Sequence, residues 1–133
     1  MKAKTSIIRK NKEQRLTYAL VKKILRTVPQ NEAFYFNIDI GEYTGVYATS
    51  LDNFCKKIKT LELKSVLFHF DRHDFEKWIK GTIGDSNLAE KISEIRKSVN
   101  REDYRNEIYL IVADRLSQLK KLLASEDLHI EHF

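Results

Sequence analysis

One stretch of this chain alternates, and it constrains the fold more than any other feature. In residues 33–40 (AFYFNIDI) Phe34, Phe36, Ile38 and Ile40 share one face, while Tyr35, Asn37 and Asp39 share the other. That is the period of a half-buried strand. Gly41 and Gly45 bracket a five-residue connection, and Val46 to Thr49 supply a second strand. The prediction is a β-hairpin over 33–49. Two strands cannot build a core alone. The hairpin must therefore lie on helices, and the fold class expected is α+β: mostly α-helical, with one β-hairpin packed on a helical layer.

The other segments supply those helices. Leu16, Leu20, Ile24 and Val28 recur every four residues, widened by Val21 and Leu25, which predicts a helix over 13–28 stopped by Pro29. Ser50 reads as an N-cap for a helix burying Leu51, Phe54, Ile58 and Leu61, with Cys55 beside that face. Ser65 to Phe70 is ambiguous. Val66, Phe68 and Phe70 alternate like a strand, whereas Leu67, Phe70 and Phe75 suit a helix, and a helical turn capped by Ser65 is the preferred reading. Asp74 reads as the N-cap of a helix to about Lys80. Asp85 or Ser86 caps the next one, buried through Leu88, Ala89, Ile92, Ile95 and Val99. A last helix is expected over 101–125, and dimerisation through spare apolar surface on it is a further expectation. The chain of 133 residues then reads as a single domain. Its parts are a basic N-terminal segment and helix (1–28), the hairpin (33–49), a helical region (50–125) and a frayed tail (126–133).

Charge is unevenly spread. Nine Lys or Arg against the single acid Glu13 give residues 1–30 a charge of +8 in a chain of net +5, so the rest is net acidic. Such asymmetry points to nucleic acid, with Arg9, Lys10, Lys12, Arg15, Lys22, Lys23 and Arg26 as candidate contacts. The competing reading is a solvated helix face, since no zinc-finger spacing, helix-turn-helix signature or RNP aromatic motif accompanies the charge. A protein partner is the other expectation. A lone cysteine fits a reducing compartment. No apolar run approaches a membrane span, and no apolar core follows the basic N-terminus, so a cytoplasmic location without membrane contact is expected.

The densest polar and aromatic cluster is residues 68–79. His69, Arg72, His73, Asp74 and Trp78 are its candidate ligand-binding residues: Arg72 to hold an anion, a histidine as acid or base. His69 and His73 are four apart, but Phe70 stands where a helical two-histidine metal motif carries glutamate, so neither metal nor cofactor is expected. Each residue also has a plain structural role open to it. His69 can bond a backbone group or carboxylate inside the core, Asp74 can cap, Arg72 can pair with a carboxylate and Trp78 can pack. Cys55 with His69 lacks an orienting third group. The glycines at 41 and 45 do not lead into a helix, so they are no phosphate loop. No complete catalytic set is present.

These residues also form a pattern. Thr44-Gly45, Ala48, Ser50-Leu51 and Phe54 are followed by Ser65, His69, Arg72, Asp74-Phe75 and Trp78-Ile79, then by Gly84-Asp85 and Leu88-Ala89. Over about residues 34–95 this resembles a family of small prokaryotic, largely archaeal proteins of unknown function with the signature SxxxHxxRxDFxxWI and GDxxLA. The resemblance implies no activity. The expected function is a small, non-enzymatic interaction domain, contacting nucleic acid through its basic segment or else a protein. The alternative is a ligand-binding or hydrolytic site centred on His69, Arg72 and Asp74.

Overall fold

The computed structural model describes residues 15–131, with side chains described as far as Ser125. Among the described residues six α-helices and one antiparallel hairpin follow in the order α1 (Tyr18–Leu25), β1 (Phe34–Asp39), β2 (Glu42–Ala48), α2 (Leu51–Thr60), α3 (Leu63–Asp71), α4 (Asp74–Trp78), α5 (Ser86–Ser98) and α6 (Tyr104–Glu131). The α+β class, dominated by helix, is as expected. The hairpin lies on α3, with β2 also against α2, and α6 runs across α1, α2 and α5. One contiguous core joins them, from Val21 and Ile24 on α1 to Ile108, Val112 and Leu119 on α6. Phe34 is central to its aromatic part. Its ring lies 4.9 Å from Phe36, 5.2 Å from Phe75, 5.7 Å from Trp78 and 6.0 Å from Phe54, within the range of favourable aromatic pairs.

The local reasons are legible. Thr17 accepts a hydrogen bond from the Leu20 N–H, Ser50 from Asn53 and Asp85 from Leu88, so three helices start at a capping oxygen. α1 is shorter than the predicted 13–28. It stops because Arg26 turns extended and the Val28 N–H goes to the Thr49 carbonyl, 2.7 Å away, fastening the chain to the end of β2. Val28 is buried all the same. Residues 65–70 are helical, but Ser65 is no cap: α3 begins two residues earlier, at Leu63. α6 starts at Tyr104, after a 3-10 turn at Arg101–Asp103, and continues to Glu131 through most of the stretch expected to fray.

The hairpin departs most from expectation. β1 and β2 are joined by two residues, Ile40 and Gly41, not by five, and Gly41 takes the positive φ (74°) that such a turn needs. Gly45 lies within β2, also at positive φ (89°). Phe36 pairs with Val46 but Asn37 pairs with Tyr43, so Thr44 and Gly45 bulge. A second slip follows between Asn37 and Asp39. These slips break the alternation, because an irregular register turns side chains to the other face. Ile40, which falls in the turn, is 79% exposed, whereas Phe34 and Phe36 are buried.

α5 and α6 are tied by a buried ion pair. Asp85 Oδ2 and Oδ1 accept hydrogen bonds from Arg115 Nε (2.7 Å) and Nη2 (2.9 Å), with both residues buried. Two oxygens thus meet two guanidinium donors, and Asp85 Oδ1 also caps α5. Removing one partner strands the other charge in the core. Arg115→Ala is expected to lower unfolding free energy by about 3–5 kcal/mol, read as a shift in the urea midpoint at pH 7.

Candidate functional site

Beside the bulge, on the edge of β1 that no strand covers, two α3 side chains bond the peptide groups of Asn37. Ser65 Oγ donates to the Asn37 carbonyl (2.7 Å), and the Asn37 N–H donates to His69 Nε2 (2.7 Å). Ser65 and His69 are four residues apart, so they stack on one helix face. An Nε2 that accepts cannot carry the proton. Nδ1 therefore carries it and donates to Asp74 Oδ2 at 2.9 Å. Arg72 Nε reaches the same oxygen at 3.1 Å, and its guanidinium lies 5.2 Å from the Phe68 ring centroid.

This geometry gives His69 an architectural part. It is 3% exposed, edge-on to Phe34 at 4.7 Å, and both ring nitrogens are engaged. Asp74 does not cap its helix. It is the first residue of α4, the cap position belongs to His73 in the left-handed region (φ 62°), and the Asp74 carboxylate orients His69 instead. His73 turns outward to Glu76 (3.1 Å). The two histidines are therefore separated by the end of α3, and the described residues contain no cluster of three metal-ligating side chains. Trp78 is a core residue whose indole N–H donates to the Glu32 carbonyl at 2.8 Å. Of the five candidates, the structure joins His69, Arg72 and Asp74 into one chain of bonds, and places His73 and Trp78 elsewhere.

The basic set divides as well. Arg9, Lys10 and Lys12 lie outside the described residues. Arg15, Lys22 and Lys23 are exposed. Arg26 is engaged: it donates to the carbonyls of Lys23, Thr82 and Ile83, tying the end of α1 to the π-helical turn Ile79–Ile83. On the outer hairpin face Tyr35 stacks on Tyr47 and meets Tyr43 edge-on, so these exposed rings chiefly pack on one another.

A different surface was not singled out by sequence. α2 and α6 run antiparallel, with Asp52 beside Lys120 at one end and Lys59 over the Tyr109 ring (5.4 Å) at the other. Between them opens a groove of about 680 Å³. Cys55, Tyr109, Ala113, Leu116 and Ala124 supply its apolar wall, and Lys56, Lys59, Lys120 and Lys121 its rim. Asp52 holds two of the lysines in place, at 3.2 Å from Lys56 and 3.0 Å from Lys120. The Lys120 hydrogen bond in turn keeps the Asp52 carboxyl below the usual range. Burial pushes the Cys55 thiol up, so it stays protonated and weakly reactive. The lysines are visible in the sequence on the solvent flanks of two apolar stripes. Only the packing of α2 on α6 brings them together.

A model of a family of unknown function (DUF5752) matches residues 5–113. No curated protein and no solved structure matches. No helix among the described residues is long and apolar enough to cross a membrane.

The His69 bonds make stability depend on pH. Burial lowers the His69 pKa against the opposing pull of Asp74. The unfolded chain then binds the proton more readily. The stability contributed by His69 is complete above about pH 6.5 and is lost as pH falls through the folded value. Urea midpoints are expected to drop as pH is lowered from 7.5 to 5. In His69→Phe that slope should flatten, at a cost of about 1–3 kcal/mol at pH 7.5 from the unpaired Asn37 N–H.

Proposed function

The chain belongs to a family of unknown function (DUF5752), and, with no activity to inherit from it, we propose that it is a non-enzymatic binding domain that receives an acidic partner in the groove between α2 and α6. One observation carries this reading: four lysines ring an apolar floor in a groove large enough for a ligand-sized contact. The stems of the lysines cover apolar surface while their ammonium groups stay in water, ready to meet carboxylates. The polar residues that could have supported acid–base chemistry are engaged elsewhere. His69 has no free ring nitrogen, and Asp74 is shared between His69 and Arg72. Arg96 is bound to Glu76 and to the Phe70 carbonyl.

The competing surface is the basic amino-terminal segment, whose natural partner is nucleic acid. Fluorescence anisotropy separates the two. Labelled poly-glutamate and labelled single- and double-stranded DNA are titrated with the full chain, with Lys59→Glu/Lys121→Glu, and with a chain lacking residues 1–12. The expected result is micromolar poly-glutamate binding that weakens with salt. It should fall about ten-fold or more in the lysine variant and persist in the truncated chain. DNA binding that survives the lysine reversal and disappears with residues 1–12 would overturn the groove in favour of the basic segment.

A further inference from the structure

We propose that the acidic partner is a second copy of this chain, with the carboxy-terminal turns of its α6 lying antiparallel in the lysine groove; this rests on the reading of the groove given above. The last described side chain that α6 packs against the core is Leu123, and the helix continues to Glu131. Eight further residues are about 12 Å of helix. The chain changes character there. Residues 125–133 hold Glu126, Asp127 and Glu131 and no Lys or Arg, in a chain of net charge +5.

The spacing fits the groove. Ala113, Ser117, Lys120 and Ala124 line it from α6, at intervals of four and three residues. The same intervals continue through the sequence to Asp127 and Glu131. One row of α6 thus begins with small residues, passes a lysine and ends in acids. Laid parallel on its own copy, the row sets lysine beside lysine and acid beside acid. Laid antiparallel, it brings the acidic end of one copy beside Ala113 and Ser117 of the other, where Lys56 and Lys59 of α2 form the opposite bank. Small side chains at the contact let two helices approach closely. The arrangement is twofold, fills both grooves at once and closes on itself. The chain's own amino-terminal segment suits the groove poorly, because Lys2, Lys4, Arg9, Lys10 and Lys12 repeat the charge of the rim.

Sedimentation equilibrium of the full chain tests this at low and high salt. It is run on the wild type, on Lys59→Glu/Lys121→Glu, on Asp127→Lys/Glu131→Lys, and on an equimolar mixture of the two variants. The wild type is expected to dimerise, more weakly at high salt. Each variant alone should dissociate at least ten-fold more readily, because groove and tail then carry one sign. The mixture should restore a dimer, since each groove then meets a tail of opposite charge. A wild type that stays monomeric but still binds poly-glutamate through Lys59 and Lys121 would overturn the self-association and leave the acidic-partner reading standing. A monomer that binds no acidic probe would overturn both. A dimer indifferent to all four substitutions would place the interface on another face and overturn the proposal.

Discussion

A peptide group withdrawn from water must find a partner, and a two-stranded sheet offers few. At the bulge of this hairpin the requirement falls on Asn37, and α3 meets it with a hydroxyl and an imidazole. Much follows from that exchange. It fixes the hairpin on α3, keeps the His69 ring against Phe34, and sets Asp74 as the acceptor that holds the ring's tautomer. It also blunts an exposed strand edge. The Asn37 N–H and C=O, which could otherwise recruit another chain's strand, are occupied by side chains of the same molecule.

Most of the architecture was readable because periodicity reports burial directly. The stripes of α2 and α5 are buried as their spacing implies, and Ser50 and Asp85 cap where they were expected to. The failures lie where tertiary bonds override local preference. The alternation of residues 33–40 predicts one continuous face, but β1 ends at Asp39 and leaves Ile40 in the exposed turn. Ser65 and Asp74 are residue types that cap helices, and both are drawn away by Asn37 and His69. Proximity in sequence did identify the His69, Arg72 and Asp74 connection. The groove was invisible for the opposite reason. Its lysines come from helices far apart in sequence, and each alone looks like a solvated flank.

Distance in sequence also hid Arg115. Asp85 reads as a cap and is one, but the same carboxylate anchors a helix thirty residues later. Asp85 follows Gly84, which has a φ of 98°, and the N–H groups of both residues converge on the Ile79 carbonyl to close the π-helical turn. The turn thereby sets both the start of α5 and the direction of the carboxylate that meets α6.

Three arginines share one habit. Arg26, Arg96 and Arg105 all donate to backbone carbonyls where other segments end, at Thr82 and Ile83, at Phe70 and at Leu61. A guanidinium stays charged at any pH a protein meets, and a carbonyl has no proton to gain or lose. These fastenings between helices are therefore indifferent to acid, whereas the one between hairpin and helix is not. Acid therefore weakens the tie of the hairpin to α3 and leaves these arginine–carbonyl ties intact.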